Sequence, residues 1–491
     1  MKIEKLLKNI KFIFRVLITI YILIFIPSCS KDVSVTPPDA PPPTGIIYLD
    51  SNPEGFQIYV NNVEKGRNTP DSLTWLGPGI YNITLKKKLF KDSTFSVNVS
   101  DGGKYSLSVD FTKNSSMLGS ISCTSNPTNA EILINDSSTG YTTPCDIQNI
   151  VPGNYQVRFH LPGYRDDSVF ILVSSSSYTT AYKFLIDTVL WQDYTPANSS
   201  IPTGNLTCVT VDNKNIVYAG TSAYGCLSFD GKNWTKYYNS LGYQINCCTV
   251  DNNNILLYGT PRGVVAFNGT TSNEYGFKTS GLTDFRVQTI AVDKNGNWFI
   301  GTQGGLNEAY QPSGSLSWVT FAADQDISSK YITTSAVDNN NNVWVGMLND
   351  GVAKAGKYNN VEYYTNLNSK LLSNNVTAIA AGPAGDVWIG YGLDNNFGHG
   401  LTCINDSTWT TYNSAIPSYS KVSSIFIDSK NVKWVGTNQG LVMFTSPTSY
   451  TLFNYDNTGL NINGVTGIAE DPHGNIWIST NTGLYEYKGS H

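Results

Sequence analysis

The sequence predicts an all-β chain: a seven-bladed β-propeller preceded by two small β-sandwich modules. Three observations predict it. First, a unit typified by residues 431–443, NVKWVGTNQGLVM, recurs along the C-terminal three-fifths of the chain. Its first Gly falls at Gly220, Gly259, Gly301, Gly346, Gly390 and Gly436, with Ser479 in the seventh copy, in steps of 39 to 46 residues. A period of that length carrying several short strands is the mark of a propeller blade. Second, three landmarks upstream repeat at a constant offset of 74 residues: Pro53 and Pro127, Thr69-Pro70 and Thr143-Pro144, Pro78-Gly79 and Pro152-Gly153. A constant offset without a gap means duplication. Third, apolar residues alternate at period two between Pro and Gly turns, which reads as short half-buried strands.

The chain opens on a targeting segment, expected over residues 1–28. Lys2, Lys5, Lys8, Lys11 and Arg15 precede an apolar run over residues 16–26. That run is shorter than the roughly 20 residues a spanning helix needs and fits a secretory signal. It ends Pro27-Ser28-Cys29, which resembles a bacterial lipobox. The resemblance implies cleavage before Cys29 and lipidation of its thiol; a plain signal peptide with an incidental Cys, or an uncleaved anchor, is the alternative. Ser30, not Asp, follows Cys29, which in such lipoproteins favours the outer membrane. The start Cys29-Ser30-Lys31-Asp32 resembles lipoproteins of the Bacteroides–Flavobacterium group, some of which face the cell surface and others the periplasm. A linker over residues 29–44 carries Pro37, Pro38, Pro41, Pro42 and Pro43, a composition that favours extended polyproline II.

The two modules are expected at residues 45–113 and 118–186. Phe56-Gln-Ile58-Tyr-Val60 matches Ala130-Glu-Ile132-Leu-Ile134, and Tyr81-Asn-Ile83 matches Tyr155-Gln-Val157. With Ser51-Asn-Pro-Glu-Gly55, Ser125-Asn-Pro-Thr-Asn129 and Pro162-Gly163-Tyr164, these residues resemble the PEGA family. The resemblance implies an extracytoplasmic spacer or adhesion module. The first copy departs from the pattern, with Lys88-Leu89-Phe90 and no Gly at the last turn. Cys123 and Cys145 both lie in the second copy, where the first has Leu49 and Asp71. A disulfide is one reading and two buried thiols the other.

The propeller is expected over residues 188–491. Two residues before each landmark stands Tyr218, Leu257, Phe299, Trp344, Trp388, Trp434 or Trp477, large side chains suited to packing between blades. Outer-strand tags occur at Trp191, Trp234, Trp318, Trp409 and Tyr450, with degenerate versions near Tyr275 and Tyr364. The first tag precedes any inner strand and the last inner unit has no tag after it. Residues 190–194 are therefore expected to complete the last blade. These repeats resemble the two-component regulator propeller family, above all in Asp471-Pro-His-Gly474-Asn475-Ile-Trp477-Ile-Ser479-Thr480-Asn-Thr-Gly483-Leu484. In that family they commonly form periplasmic sensors, often for glycans, on hybrid histidine kinases. This chain reaches His491 without a spanning helix or a kinase, so sensing is expected to need a partner.

Net charge is −5 with only 14% charged residues, and removal of the basic leader makes the remainder more acidic. That argues against nucleic acid as a partner. No cofactor or metal is expected. The four His residues form no His-x-x-x-His, and no Cys-x-x-Cys or Gly-x-Ser-x-Gly occurs. Cys247 and Cys248, on an alternating strand, point to opposite faces. Runs such as Asp338-Asn-Asn-Asn-Asn342 read as hairpin turns rather than calcium loops, since no Glu closes a twelve-residue loop.

One loop is lengthened: Tyr391, Gly392, Leu393, Asp394, Asn395, Asn396, Phe397, Gly398 and His399 stand where other blades have three or four residues. With Tyr224, Arg262, Gln303, Asp350 and Gln439 at equivalent positions, it forms a candidate ligand rim. Such a rim suits a glycan or an envelope protein; solvated loop variation is the plain alternative. The expected function is a non-enzymatic, envelope-anchored binding protein, acting as a sensor or accessory component. A structural or envelope-assembly role is the alternative. A lyase or hydrolase stands further back and would require a catalytic His such as His399 or His473.

Overall fold

A computed structural model describes residues 44–489 apart from 238–243, 277–279, 311–315, 322–326, 328–329, 357–359, 395–399 and 447. The candidate lipidation residue Cys29 therefore lies outside the described residues, as do Asn395, Asn396, Phe397 and His399. The chain divides into two compact units: Met1–Gly119 with Ser174–Ser176, and Ser120–Val173 with Ser177–His491. Among the described residues no helix is long and apolar enough to cross a membrane.

The first unit is a β-sandwich. Asp71–Leu76, Gly45–Asn52 and Lys104–Asp110 form one sheet; Val63–Asn68, Gln57–Val60, Gly79–Lys86 and Ser93–Val99 form the other. The alternation read from the sequence is realised: Ile47, Leu49, Ile58, Val60, Ile83 and Leu85 all turn inward and are buried. The Ser and Thr landmarks are a buried polar clasp. Ser51 Oγ lies 2.5 Å from Thr69 Oγ1, which also accepts from the Phe56 N–H at 3.0 Å. The turn that lacks a Gly survives: Leu89 adopts φ +76°, where the second copy has Gly163 at +84°. A left-handed Leu is disfavoured. Phe90, the next residue, packs edge-on against Phe56 at 5.1 Å, an apolar contact that offsets the cost.

The second unit begins with the same sandwich. Its strand order repeats that of the first: Cys145–Ile150, Gly119–Asn126, Tyr178–Phe184, and Ser137–Thr142, Glu131–Ile134, Gly153–His160, Asp167–Val173. Its clasp is Ser125 Oγ to Thr143 Oγ1 at 2.5 Å, with the Ala130 N–H donating to Thr143 at 3.1 Å. Of the two readings of Cys123 and Cys145, the structure has free thiols. Burial among Ile121, Ile132 and Phe159 pushes the Cys123 thiol up to about 12, so it packs as a small apolar side chain.

Residues 206–237, 247–276, 287–320, 332–364, 376–412 and 422–453 each fold into a four-stranded antiparallel sheet. A seventh combines Val465–Glu470, Ile476–Thr480 and Leu484–Tyr487 with Trp191–Tyr194 as its outermost strand. Each innermost strand lies beside that of the next sheet, and Val465–Glu470 lies beside Leu206–Val211, which closes the ring. This is the propeller the repeat called for.

The landmark Gly is the point of closest approach between sheets. A Cβ on Gly390 would stand 2.3 Å from Val422 Cγ1 of the next innermost strand, and one on Gly346 2.5 Å from Val376 Cγ1. The large residues two positions earlier are core. The indole N–H of Trp344, Trp434 and Trp477 donates to Asp338, Asp428 and Asp471 at 2.8 to 3.1 Å. The same carboxylates accept two backbone N–H groups of their own turn, as Asp338 does from Asn340 and Asn342, both at 2.9 Å. Burial works to raise the Asp338 carboxyl, but hydrogen bonds from Asn342 and Trp344 outweigh it and hold it below the usual range. The Asp-Asn runs are thus occupied as turns.

A further device did not show in the sequence. Six innermost strands carry a register shift that leaves Thr207, Gln288, Thr333, Thr377, Ser423 or Thr466 outside the pairing. A bulge re-aims the extra side chain. Thr207 donates to the carbonyl of Ile245 just before the next sheet, Thr333 and Thr377 to those of Val376 and Val422 in the next sheet, at 2.5 to 2.6 Å, and Ser423 donates to that of Val465. These bonds latch neighbouring blades together.

Candidate functional site

In a four-stranded antiparallel sheet, the loop between the second and third strands and the connection to the next sheet emerge at the same end. The candidate rim is built from both. Most second-to-third-strand loops are held by a Thr: the hydroxyls of Thr260, Thr302 and Thr437 donate to the carbonyls of Gly263, Gly305 and Gly440 at 2.8 to 3.0 Å. Gly351 shows why a Gly follows: its φ is +80°, and a Cβ there would meet the Tyr364 carbonyl at 2.2 Å. The fixed loops leave the side chains between Thr and Gly to face outward.

Of the predicted rim residues that the structure describes, Tyr224, Arg262, Gln303, Asp350, Asp394 and Gln439 lie in or beside these loops, and Tyr391 does not face outward with them. Tyr391 is fully buried, its hydroxyl donating to Thr402 Oγ1 at 2.6 Å and accepting from the Leu372 N–H at 3.3 Å. Burial pushes its phenol up to about 12. Tyr391 stands where other sheets have the loop Thr, and its longer side chain reaches into the core instead. Its expected role as a ligand-stacking ring is therefore corrected: it is a core residue that ties the third strand to the Leu372 backbone.

The polar members are tied to neighbouring connections. Gln303 Nε2 donates to Tyr331 Oη at 3.1 Å, and Lys330 Nζ pairs with Asp350 at 3.0 Å. Asp394 accepts from Ser373 Oγ and from Asn375 Nδ2 at 3.2 Å, and Gln439 Nε2 donates to the Ser418 carbonyl at 3.0 Å. Such bonds hold side chains in place before a ligand arrives. Arg262 is exposed, and Tyr224 is 42% exposed with Lys236 Nζ 4.7 Å from its ring centre.

The connecting segments supply what the sequence reading missed. Phe285 and Tyr419 are 38% and 58% exposed at the same end of the sheets. Beside Phe285, the Arg286 guanidinium hydrogen-bonds Asp284 and holds its carboxyl below the usual range. A connection has no repeat landmark, so only the rule that both segment types share one end could have found them. Exposed aromatic faces among preset amides and charges can stack on a sugar ring or seat a protein side chain.

Of the His residues, His160 lies in the second sandwich, 2.7 Å from Asp166, and His473 sits in a turn at the opposite end of the seventh sheet from the rim. Among the described residues no three His, Cys, Asp or Glu side chains are grouped to hold a metal ion.

Residues 44–115 and 118–185 match the PEGA domain, and residues 459–482 match the two component regulator propeller. No curated protein matches the sequence. Among solved structures, the chain is similar to the extracellular domain assigned to a hybrid two component system of B. thetaiotaomicron, at 19% identity and TM-score 0.50, over 62% of this chain and 40% of that one. A second such domain from the same organism aligns at 15% identity and TM-score 0.55, over 86% of this chain and 53% of that one. A streptogramin B lyase aligns at 13% identity and TM-score 0.50, over 60% of this chain and 96% of that one. The chain thus spans about half or less of the length of the two extracellular domains. At these identities the likeness establishes a shared fold.

Proposed function

We propose that this chain is a lipid-anchored, non-enzymatic envelope protein that binds a glycan or protein ligand at the rim of its propeller, as an accessory to a sensing or assembly partner. The observation that carries the reading is the exposed set Tyr224, Phe285 and Tyr419 beside polar side chains already held by Gln303–Tyr331, Lys330–Asp350 and Gln439–Ser418 contacts. Preset polar groups lower the ordering cost of binding. The extracellular address of the similar B. thetaiotaomicron domains and the Ser28-Cys29 junction support an outer-membrane lipoprotein facing the periplasm or the surface. The similar lyase raises hydrolytic or lyase chemistry, which asks for a reacting side chain such as a His at this rim; His473 lies at the other end, and His399, in the rim loop, lies outside the described residues.

A glycan array and an envelope pull-down with the purified full chain test the reading. The expected result is a ligand whose affinity falls at least tenfold, about 1.4 kcal/mol, in Tyr224→Ala and Tyr419→Ala. A ligand that binds both variants at full strength moves the site away from the rim. Acyl labelling lost in Cys29→Ala checks the anchor; a variant that still labels removes it from the proposal.

A further inference from the structure

At the opposite end of the ring from the rim, a cavity of about 490 Å³ opens between the turns of the first two sheets. Asp212, Lys214, Asp230, Asn233, Asn254 and Asn268 are among its lining residues, with Tyr218 and Ser228 behind them.

One cross-strand pair that lines it differs from its counterparts in the later sheets. In the fourth to seventh sheets the second-strand Trp faces Lys354, Cys403, Met443 or Glu486 on the third strand. In the fourth, Lys354 Nζ lies 5.3 Å from the Trp344 ring centre and fills the space beside it. In the first sheet the pair is Tyr218 and Ser228, both smaller than those counterparts, and both line the cavity. The carboxylate at its base has one oxygen held only by long hydrogen bonds. Asp212 is 6% exposed, and its Oδ2 accepts from Tyr218 Oη at 3.4 Å and from Asn254 Nδ2 at 3.3 Å, longer than the common range. The equivalent Oδ2 of Asp338 takes two donors at 2.8 and 2.9 Å. A buried carboxylate oxygen with long contacts invites a further donor.

We infer that this cavity is a second binding site, for a neutral mono- or disaccharide. The volume lies within the range of small-molecule sites. The Oδ2 atoms of Asp212 and Asp230 can accept from sugar hydroxyls; Asn254 and Asn268, whose amide oxygens are taken by backbone N–H groups, can donate through their NH2 groups, and Asn233 Oδ1 can accept, the pairing that vicinal diols require. The site is separate from the rim and does not depend on what the rim binds.

The test is ligand-observed saturation-transfer NMR of the full chain with maltose, cellobiose, laminaribiose and xylobiose. Ser228→Met places at this position the residue that Met443 supplies in the sixth sheet and should fill the cavity. Asn233→Ala removes an exposed lining amide without touching the core. Transfer to at least one sugar is expected, with affinity reduced at least tenfold in Ser228→Met and reduced also in Asn233→Ala. Should Ser228→Met fail to fold, Asn233→Ala decides the matter alone. Absence of transfer to all four sugars overturns the inference. So does binding that persists in Ser228→Met and Asn233→Ala; its loss in Tyr419→Ala then places the sugar at the rim, which leaves the proposed function standing.

Discussion

Closure of the ring can be tested at Trp191. This side chain is 3% exposed, 4.9 Å from the Tyr487 ring centre and 5.3 Å from that of Phe453, in a cluster with Trp434, Leu441 and Ile476. Its strand pairs residue by residue with the last one, Trp191 opposite Tyr487 and Tyr194 opposite Leu484. Truncation of a buried Trp to Ala costs roughly 3–5 kcal/mol, and the two aromatic contacts fall within that sum. Taking about 4 kcal/mol, and about 2 °C per kcal/mol for a large unit, Trp191→Ala should lower the melting midpoint by roughly 8 °C. Differential scanning calorimetry measures it. The control is Leu367→Ala in the same unit, which is 92% exposed and should change stability by no more than about 0.5 kcal/mol. Deletion of residues 188–198 should cost more than Trp191→Ala, because the backbone ladder and the Arg165–Asp193 ion pair leave with the ring. A Trp191→Ala midpoint within the control's range would refute the view that this strand seals the last sheet.

Thr377→Val keeps the side-chain shape and removes the hydroxyl that reaches the Val422 carbonyl at 2.5 Å; urea unfolding should show a loss of about 1 kcal/mol, and an unchanged midpoint would mean the latch between the fifth and sixth sheets contributes nothing. Burial raises the Glu486 carboxyl above its ordinary value of 4.5, against a nearby Lys488 that works to lower it. A carboxyl whose folded value is raised binds its proton more readily in the folded state, so its ionised form weakens the fold at neutral pH and that penalty disappears as pH falls through the folded value to below 4.5. Glu486→Gln should therefore be more stable than the parent at pH 7, and the gap should close in acid; melting curves that stay parallel across that range would assign the gain to something other than ionisation.

The local sequence carried a great deal here because propeller and sandwich strands are short and their turns chemically narrow. The Gly step, the turn Asp and the second-strand Trp are set by contacts that recur in many blades, so they repeat visibly, and the phase of the outer-strand tags pointed to the pairing of Trp191–Tyr194 with Leu484–Tyr487. The Ser51–Thr69 and Ser125–Thr143 clasps recur for the same reason. What the pattern could not say is where a departure leads. Leu89 in place of a Gly left the last turn open to question, and the turn is kept, with Phe90 packed on Phe56. Tyr391 looked like the first exposed ring of a long loop, and a core position beside Thr402 took it in. Phe285 and Tyr419 reach the rim only because consecutive antiparallel strands return their connections to one end. Likewise, the Tyr218–Ser228 pair is unremarkable in the chain and lines a cavity only when a neighbouring sheet frames it. Repetition encodes the scaffold in each copy separately, whereas a site is made where copies differ, and the consequence of a difference depends on the volume and partners that other strands bring to it.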